Sequence, residues 1–402
     1  MAFRDLREFV GFLEGRGKLT RLAQRFNKDT EIIPFYRVEM LGLPAEQRQA
    51  LLFEDVSGAS GRSYDMQVLA GCYGSSDDML LLGLGCSTYA EALELMHRGM
   101  SEPIAPVVVD SGPVHEVVMT GDEITRVGLD ALPAPVEEVG FSGVIRTGMP
   151  QITRDPVSGG MNVGTINGFF LGRDRIVIGM SPNRDAQGHL KTARERGEEL
   201  PLAIVIGCTP DLMATGSTQL PYGKVADELS VAGGMSGRPI EMVRCKTIPL
   251  EVPAHAEAVI EGYLSPTETG ASLPFGEYPG YMRAELNVSP LMRVTAITHR
   301  KQAMFTPITV GFWPNDSNTL AGFGRSALVY HTLKYERGLP IREVYSPQAA
   351  GGTSCCLIQV EEGTPQDTVW DILEAAKNAT YFKYCIALDQ DGDLRSLDYL
   401  LW

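Results

Sequence analysis

The segment NVGTINGFFLGRDRIVIGM, residues 162–180, reads as two short strands joined by the turn Gly172-Arg173-Asp174. A glycine within the first strand, Gly164, lets the backbone approach a ligand closely. Similar β-branched strands recur on both sides of this segment, so the sequence predicts a β-rich middle domain over residues 116–300. The other strands are predicted at 144–153, 202–208, 242–252 and 291–298, and helices at 188–197 and 225–233.

The flanking segments alternate helix and strand. The chain opens with apolar residues at helical spacing from Phe3 to Leu19, and three prolines within 100–115 mark a boundary. After residue 300, helices are predicted at 327–335 and 368–379 and strands at 355–360 and 384–388. We therefore predict an α/β (α+β) protein with domains 1–115, 116–300 and 301–402, and we leave open whether the third joins the first in space.

The composition argues against several classes of protein. The chain has 402 residues and a net charge of −15. Phosphate backbones and anionic lipids repel such a chain, so we expect neither a nucleic-acid nor a membrane partner, although a local pocket can still accept a small anion. Seven scattered cysteines without a C-x-x-C pair indicate reduced thiols. No apolar run approaches the roughly 18 residues of a membrane span. We expect a cytoplasmic enzyme.

The common catalytic motifs are absent: there is no P-loop, no G-x-S-x-G and no H-E-x-x-H. Three segments carry candidate groups instead. Asn162 and Asn167 offer amide groups, though a β-bulge explains them equally. Glu228 stands at the start of a predicted helix. The alternative explanation is that its carboxylate only stabilises the N-terminus of that helix. Glu277 lies in the turn PFGEYPGY, where burial among rings would raise its pKa as a proton donor requires; a solvent-exposed turn is the alternative.

Taken in chain order, these segments resemble the UbiD family of prenylated-FMN-dependent (de)carboxylases. The resemblance implies an N-terminal α/β domain, a central split β-barrel that binds the flavin, a C-terminal α/β domain, and a homo-oligomer of two or more chains. The stretches that carry it are 3–19, 154–164, 195–207, 228–262, 274–278, 295–300 and 388–402.

The same resemblance implies a cofactor and a reaction. The cofactor is prenylated FMN, supplied by a flavin prenyltransferase, with a divalent ion such as Mn²⁺ and a K⁺ ion tying its phosphate to the protein. The reaction is the reversible, non-oxidative decarboxylation of an aromatic or α,β-unsaturated carboxylic acid through a covalent adduct with the cofactor, which accepts the electrons.

Position by position, the resemblance assigns metal binding to Asn162, Asn183 and Glu228, and proton donation to Glu277. Asn183 stands where the family has a histidine; its amide oxygen binds Mn²⁺ more weakly, and His189 is an alternative ligand. The implied cofactor contacts are Asn162, Thr165, Ile166, Asn167, Pro182, Asn183, Glu228 and Lys377, with Lys383 competing with Lys377.

Two catalytic positions depart from the family pattern. Asn167 replaces an arginine, and Ser272 replaces a second glutamate. The paired change is coherent, because removing the arginine alone would leave a buried carboxylate without its counter-charge. Two other functions therefore stay open: a diverged, non-catalytic UbiD-like subunit of a hetero-oligomer, and an enzyme that uses ordinary FMN in redox chemistry.

Overall fold

The computed structural model describes residues 2–137, 149–181, 184–221, 223–272, 274–277, 281–283 and 286–401. The first helix, α1 (Leu6–Gly15), forms because four apolar side chains share one buried face, and Asp5 caps it by accepting a hydrogen bond from the Glu8 amide at 2.9 Å. The elements that follow are β1 (Leu19–Asn27), α2 (Ile32–Gly42), β2 (Ala50–Ser57), β3 (Ser63–Tyr64), β4 (Gln67–Ala70), α3 (Asp77–Leu84), α4 (Tyr89–Ser101) and β5 (Val107–Val108).

An antiparallel sheet of eight strands forms the centre of the molecule. The strands are β6 (Val117–Thr120), β7 (Pro150–Arg154), β8 (Met161–Thr165), β9 (Asn167–Phe170), β10 (Arg175–Gly179), β11 (Leu200–Ile206), β14 (Ala258–Ser272) and β17 (Leu286–His299). Their order in the sheet is β8-β7-β11-β14-β17-β10-β9, and β6 pairs with β17. Alternate apolar residues of these strands are buried on one face, among them Ile178, Ile204 and Ile260.

The two ends of this strand order meet in the chain. Strand β8 ends at Thr165 and β9 begins at Asn167, so a single residue, Ile166, joins the first strand of the order to the last. A sheet whose end strands are consecutive in sequence must curl back on itself. The predicted mixed α/β architecture is confirmed, and so is the split barrel that the resemblance implies.

Helices and short hairpins complete the middle segment. The predicted strand over 242–252 is two strands, because the buried carboxylate of Glu261 accepts hydrogen bonds from the amides of Lys246 at 2.8 Å and Thr247 at 2.7 Å and holds a turn there. The elements are α5 (Asp122–Arg126), α6 (Asp185–Arg196), α7 (Pro210–Gly216), α8 (Glu228–Ser236), β12 (Glu241–Arg244), β13 (Glu251–Pro253), β15 (Phe275–Gly276) and β16 (Met282–Arg283).

The last hundred residues build a second small α/β unit. Its three-stranded sheet has the order β19-β20-β21. No single helix in the described ranges is long and apolar enough to cross a membrane; only the bent pair α3 and α4 passes that test together, by length and composition. The elements are β18 (Met304–Phe305), α9 (Asp316–His331), β19 (Ile341–Tyr345), β20 (Cys355–Val360), α10 (Gln366–Ala379), β21 (Tyr384–Leu388) and α11 (Leu397–Leu401).

Strand pairing crosses both predicted domain boundaries. Strand β5 adds to β12 in parallel, and β18 adds to β4 in parallel. The fully buried carboxylate of Glu257 reinforces these crossings, since it accepts hydrogen bonds from Arg7 at 2.9 Å and from the Met304 amide at 3.0 Å. The boundaries at 115 and 300 remain predictions.

A buried aspartate ties the amino end of α9 to the N-terminal segment. Asp316 Oδ1 accepts from the Gly74 amide at 2.9 Å, and Oδ2 accepts from the Thr309 hydroxyl at 3.0 Å. Burial raises the pKa of Asp316 to about 6. Charging this group is therefore unfavourable in the folded protein despite its hydrogen bonds.

The substitution Asp316→Asn should change how stability depends on pH. Folding raises the pKa of Asp316 from the ordinary 3.8 to about 6. The contribution of this carboxyl group to the free energy of unfolding is therefore fully present below pH 4 and is lost as the pH rises through 6. Relative to Asp316→Asn, the parent should lose about 3 kcal/mol of unfolding free energy between pH 4 and pH 7. Urea unfolding across this range measures the difference. The exposed Asp371→Asn is the control, and parallel curves for the parent and Asp316→Asn would contradict the expectation.

Candidate active site

Two adjoining cavities lie where β8 passes into β9. The larger has a volume of about 420 Å³ and is lined by both barrel residues and residues of α9. The smaller lies between β8 and the amino ends of α6 and α8. Ile166, Arg184 and Gln219 line both, so the two cavities are parts of one site.

The smaller cavity brings together Asn162 of β8 and Glu228, the first residue of α8. Glu228 is 6 % exposed, and its Oε2 accepts a hydrogen bond from the Val163 amide at 2.9 Å. Burial raises its pKa to about 7, and the neighbouring Asp227 and Asp185 add to the effect. Among the described residues no cation forms an ion pair with Glu228. A buried carboxylate in this setting fits a divalent cation.

The described protein residues do not complete a metal site by themselves. Within those ranges no group of three or more His, Cys, Asp or Glu side chains converges on one point. Asn162 and Glu228 supply two oxygen donors, and Asp185 lines the same cavity; amides, backbone carbonyls, water or a ligand can supply the remaining donors. Pro182 and Asn183, which were predicted to contribute, lie outside the described residues.

The larger cavity brings together the predicted cofactor and catalytic residues Thr165, Ile166, Asn167 and Glu277. Glu277 is half-buried, and its amide donates to the Tyr281 carbonyl at 2.9 Å. Asn167 opens β9 opposite Gly179 of β10. Ser272 is fully buried at the end of β14 and is not a lining residue of either cavity.

Two other candidate residues lie away from both cavities. His189 is buried in α6, where its Nδ1 lies 2.9 Å from the Thr153 hydroxyl, and burial lowers its pKa. Lys377 is exposed in the last turn of α10. Neither lines a cavity, so the alternative role of His189 and the assignment of Lys377 remain predictions.

Three polar residues are among the lining residues that sequence reasoning missed. Arg184 precedes α6, Arg325 lies within α9, and Tyr381 precedes β21. The helix predicted over 327–335 starts too late in the chain, because α9 begins at Asp316. Asn315 caps this helix: its side chain accepts a hydrogen bond from the Asn318 amide at 2.9 Å. No local pattern marks Arg325 or Tyr381, because only the tertiary fold brings them to the barrel.

Comparison with known proteins decides the family. The family model UbiD, described as the 3-octaprenyl-4-hydroxybenzoate carboxy-lyase Rift-related domain, matches residues 107–313. This match covers more than half of the chain and includes Asn162, Glu228 and Glu277. The chain belongs to the UbiD family.

Solved structures of UbiD-class enzymes share the whole fold. An evolved dimeric form of HmfF from Pelotomaculum thermopropionicum in complex with prFMN is 27% identical and superposes with a TM-score of 0.88, covering 100% of this chain and 89% of the other. HmfF in complex with FMN is 27% identical, with a TM-score of 0.87 and coverage of 99% and 85%.

A third UbiD relative is the apo 3,4-dihydroxybenzoic acid decarboxylase AroY from Klebsiella pneumoniae. It is 26% identical, has a TM-score of 0.85, and covers 100% of this chain and 84% of its own. The UbiD resemblance read from the sequence is therefore confirmed, and so is the UbiD-class decarboxylase fold. HmfF binds prFMN in one of its structures and FMN in the other.

The UbiD assignment of Lys377 predicts a modest effect on cofactor binding. An exposed ion pair contributes at most about 1 kcal/mol, so Lys377→Ala should weaken prenylated-FMN binding by no more than about fivefold. Flavin titration followed by fluorescence measures this affinity, with Lys383→Ala as the competing variant. Parent-like binding by Lys377→Ala would remove this lysine from the site.

Proposed function

We propose that this UbiD protein is a prenylated-FMN-dependent carboxy-lyase acting on an aromatic or α,β-unsaturated carboxylic acid. The observation that supports this most is the junction of the two cavities. One cavity presents a buried carboxylate and an amide suited to a metal, and the other presents Glu277 and Asn167 beside open space.

The residues of the smaller cavity would hold the cofactor by its phosphate. Asn162 and Glu228 are the proposed ligands of a divalent ion such as Mn²⁺, with a K⁺ ion nearby, and Asn183 is a third. Thr165, Ile166, Asn167 and Pro182 are the proposed flavin contacts. Prenylated FMN, when bound, supplies the electron sink that decarboxylation at an sp² carbon requires.

The residues of the larger cavity would handle the substrate and its proton. Glu277 is proposed to hold a proton on its carboxyl group and to deliver it to the carbon that loses carbon dioxide. Asn167 can donate an amide hydrogen bond to the substrate carboxylate without pairing its charge. Ser272, which is buried and lines neither cavity, contributes no charge to the site.

Mass spectrometry of the purified protein tests the proposal. Co-expression with a flavin prenyltransferase should yield protein that carries prenylated FMN, has a matching absorption spectrum and releases carbon dioxide from unsaturated acids. Protein that carries only FMN would support ordinary redox chemistry instead. Protein that binds no flavin would support a non-catalytic subunit. The departures from the family pattern at Asn167 and Ser272 are consistent with that alternative.

The assembly is part of the same proposal. An evolved form of the UbiD-class enzyme HmfF is dimeric, and we propose that this chain forms a homo-oligomer of two or more copies. Light scattering of the purified protein measures the mass directly.

A further inference from the structure

Two cysteines are paired across the small C-terminal sheet. Strands β20 and β21 run parallel, and Cys356 of β20 is the register partner of Cys385 of β21. Neighbouring strands lie about 4.7–4.9 Å apart, which is within the range of about 4.4–6.8 Å that separates the Cα atoms of a disulfide. Register partners also project their side chains from the same face of the sheet. The backbone therefore allows a bond between the two sulfur atoms.

The two thiols contact each other directly. The Cys356 thiol donates a hydrogen bond to the Cys385 sulfur, which raises the pKa of Cys356 and lowers the pKa of Cys385. The positive charge of Lys377 on α10 also lowers the pKa of Cys385. Cys385 is therefore the member of the pair that ionises, and the thiolate is the form of cysteine that reacts with oxidants.

Exposure distinguishes the two cysteines in the same sense. Cys356 is 0 % exposed, whereas Cys385 is half-buried on β21, the last strand in the order of its sheet. Small solutes can therefore reach Cys385 but not Cys356. Burial raises the pKa of the other five cysteines, all of which lie within the described ranges: Cys72, Cys86, Cys208, Cys245 and Cys355.

These observations assign different roles to the two sulfur atoms. We propose that Cys385 is a redox modification site, which hydroperoxides oxidise and which Cys356 then resolves as a disulfide within the chain. The bond would draw the two Cβ atoms closer than the strand spacing, toward the mean of about 3.8 Å in disulfides. Strained disulfides are readily reduced, so thiols should reverse the modification.

The reaction needs a hydroperoxide as its only co-reactant. The Cys385 thiolate attacks one peroxide oxygen, the O–O bond breaks, and Cys385 becomes a sulfenic acid; with hydrogen peroxide, the other oxygen leaves as hydroxide and takes up the proton that the thiol released. The Cys356 sulfur then attacks the Cys385 sulfur, the S–O bond breaks, and hydroxide leaves with the Cys356 proton as a second water. The two thiols lose two electrons in total, and the peroxide gains both.

Thiol counting after treatment with hydrogen peroxide tests the inference. The purified protein is reduced, freed of reductant, exposed to a small excess of hydrogen peroxide, denatured and alkylated. Alkylation should then reach five of the seven cysteines, and peptide mapping should find Cys356 joined to Cys385. Dithiothreitol added before alkylation should restore all seven.

Three variants separate the roles of the sulfur atoms. Cys385→Ser should keep its six remaining thiols at the same dose of peroxide. Cys356→Ala should stop at a sulfenic acid on Cys385, which dimedone traps. Cys355→Ser is the matched control: Cys355 is next to Cys356 in the chain but projects from the opposite face of β20, so the disulfide should form as in the parent.

A parent that retains all seven thiols overturns the inference, and so does a disulfide that contains Cys355 or joins two chains. Thiol loss in Cys385→Ser equal to that of the parent also overturns it, because another cysteine would then be the reactive one. This comparison needs no change in the core, since Cys385 is half-buried. The outcomes are independent of the proposed function, because none of them requires decarboxylation.

Discussion

The substitution Glu277→Gln should lower the turnover rate by at least the usual contribution of a general acid, which is about 10²–10⁴-fold. The glutamine keeps the shape of the side chain at the wall of the larger cavity but has no acidic proton to give. Cofactor binding should be unaffected, because Asn162 and Glu228, the proposed metal ligands among the described residues, line the other cavity. Steady-state rates of carbon dioxide release, with flavin content measured in parallel, check this.

Isotope exchange isolates the proton step. The parent should exchange the vinylic or ring hydrogen of the product with deuterium from solvent, and Glu277→Gln should not. The exposed Glu268→Gln on β14 is the matched control and should behave like the parent. If Glu277→Gln decarboxylates and exchanges at the parent's rate, Glu277 is not the proton donor.

Glu228→Ala should strip both metal and flavin from the protein. Removing groups that merely orient metal ligands lowers affinity about 10–100-fold, so loss of a ligand should cost at least about 100-fold. Elemental analysis and the flavin absorption of the purified variant measure both occupancies together.

Glu228→Gln separates charge from shape in this cavity. Its amide oxygen can still accept from the Val163 amide, as Glu228 Oε2 does at 2.9 Å, so the amino end of α8 should stay folded. Metal affinity should nevertheless fall, because the negative charge is gone. Glu195→Ala, on the exposed face of α6, should retain both occupancies. Retained metal in Glu228→Ala would show that this residue is not a ligand, and full flavin without metal would contradict the proposal that the metal holds the flavin.

The sequence predicts a β-rich middle segment because its strands have strong local patterns, and the resemblance to the UbiD family implies that these strands form a barrel. The positions of Asn162, Glu228 and Glu277 also follow from it, since each stands in a segment that resembles the UbiD family. Arg325 does not follow, because its place at the cavity depends on two glycine contacts, made by Gly322 and Gly324, that no local pattern records. The expected catalytic position Ser272 looks like its neighbours in sequence, and only the fold shows that it is buried and lines neither cavity.

The pairing of β18 with β4 has a consequence for synthesis on the ribosome. Until Met304 and Phe305 have emerged, β4 is an edge strand with unpaired backbone groups, although every other strand of its sheet was made long before. The hydrogen bond from Arg7 to the Glu257 carboxylate likewise cannot form until Glu257 has been synthesised. The nascent N-terminal segment is therefore incomplete until the whole barrel has followed it, and fragments truncated near residue 115 should aggregate rather than fold alone.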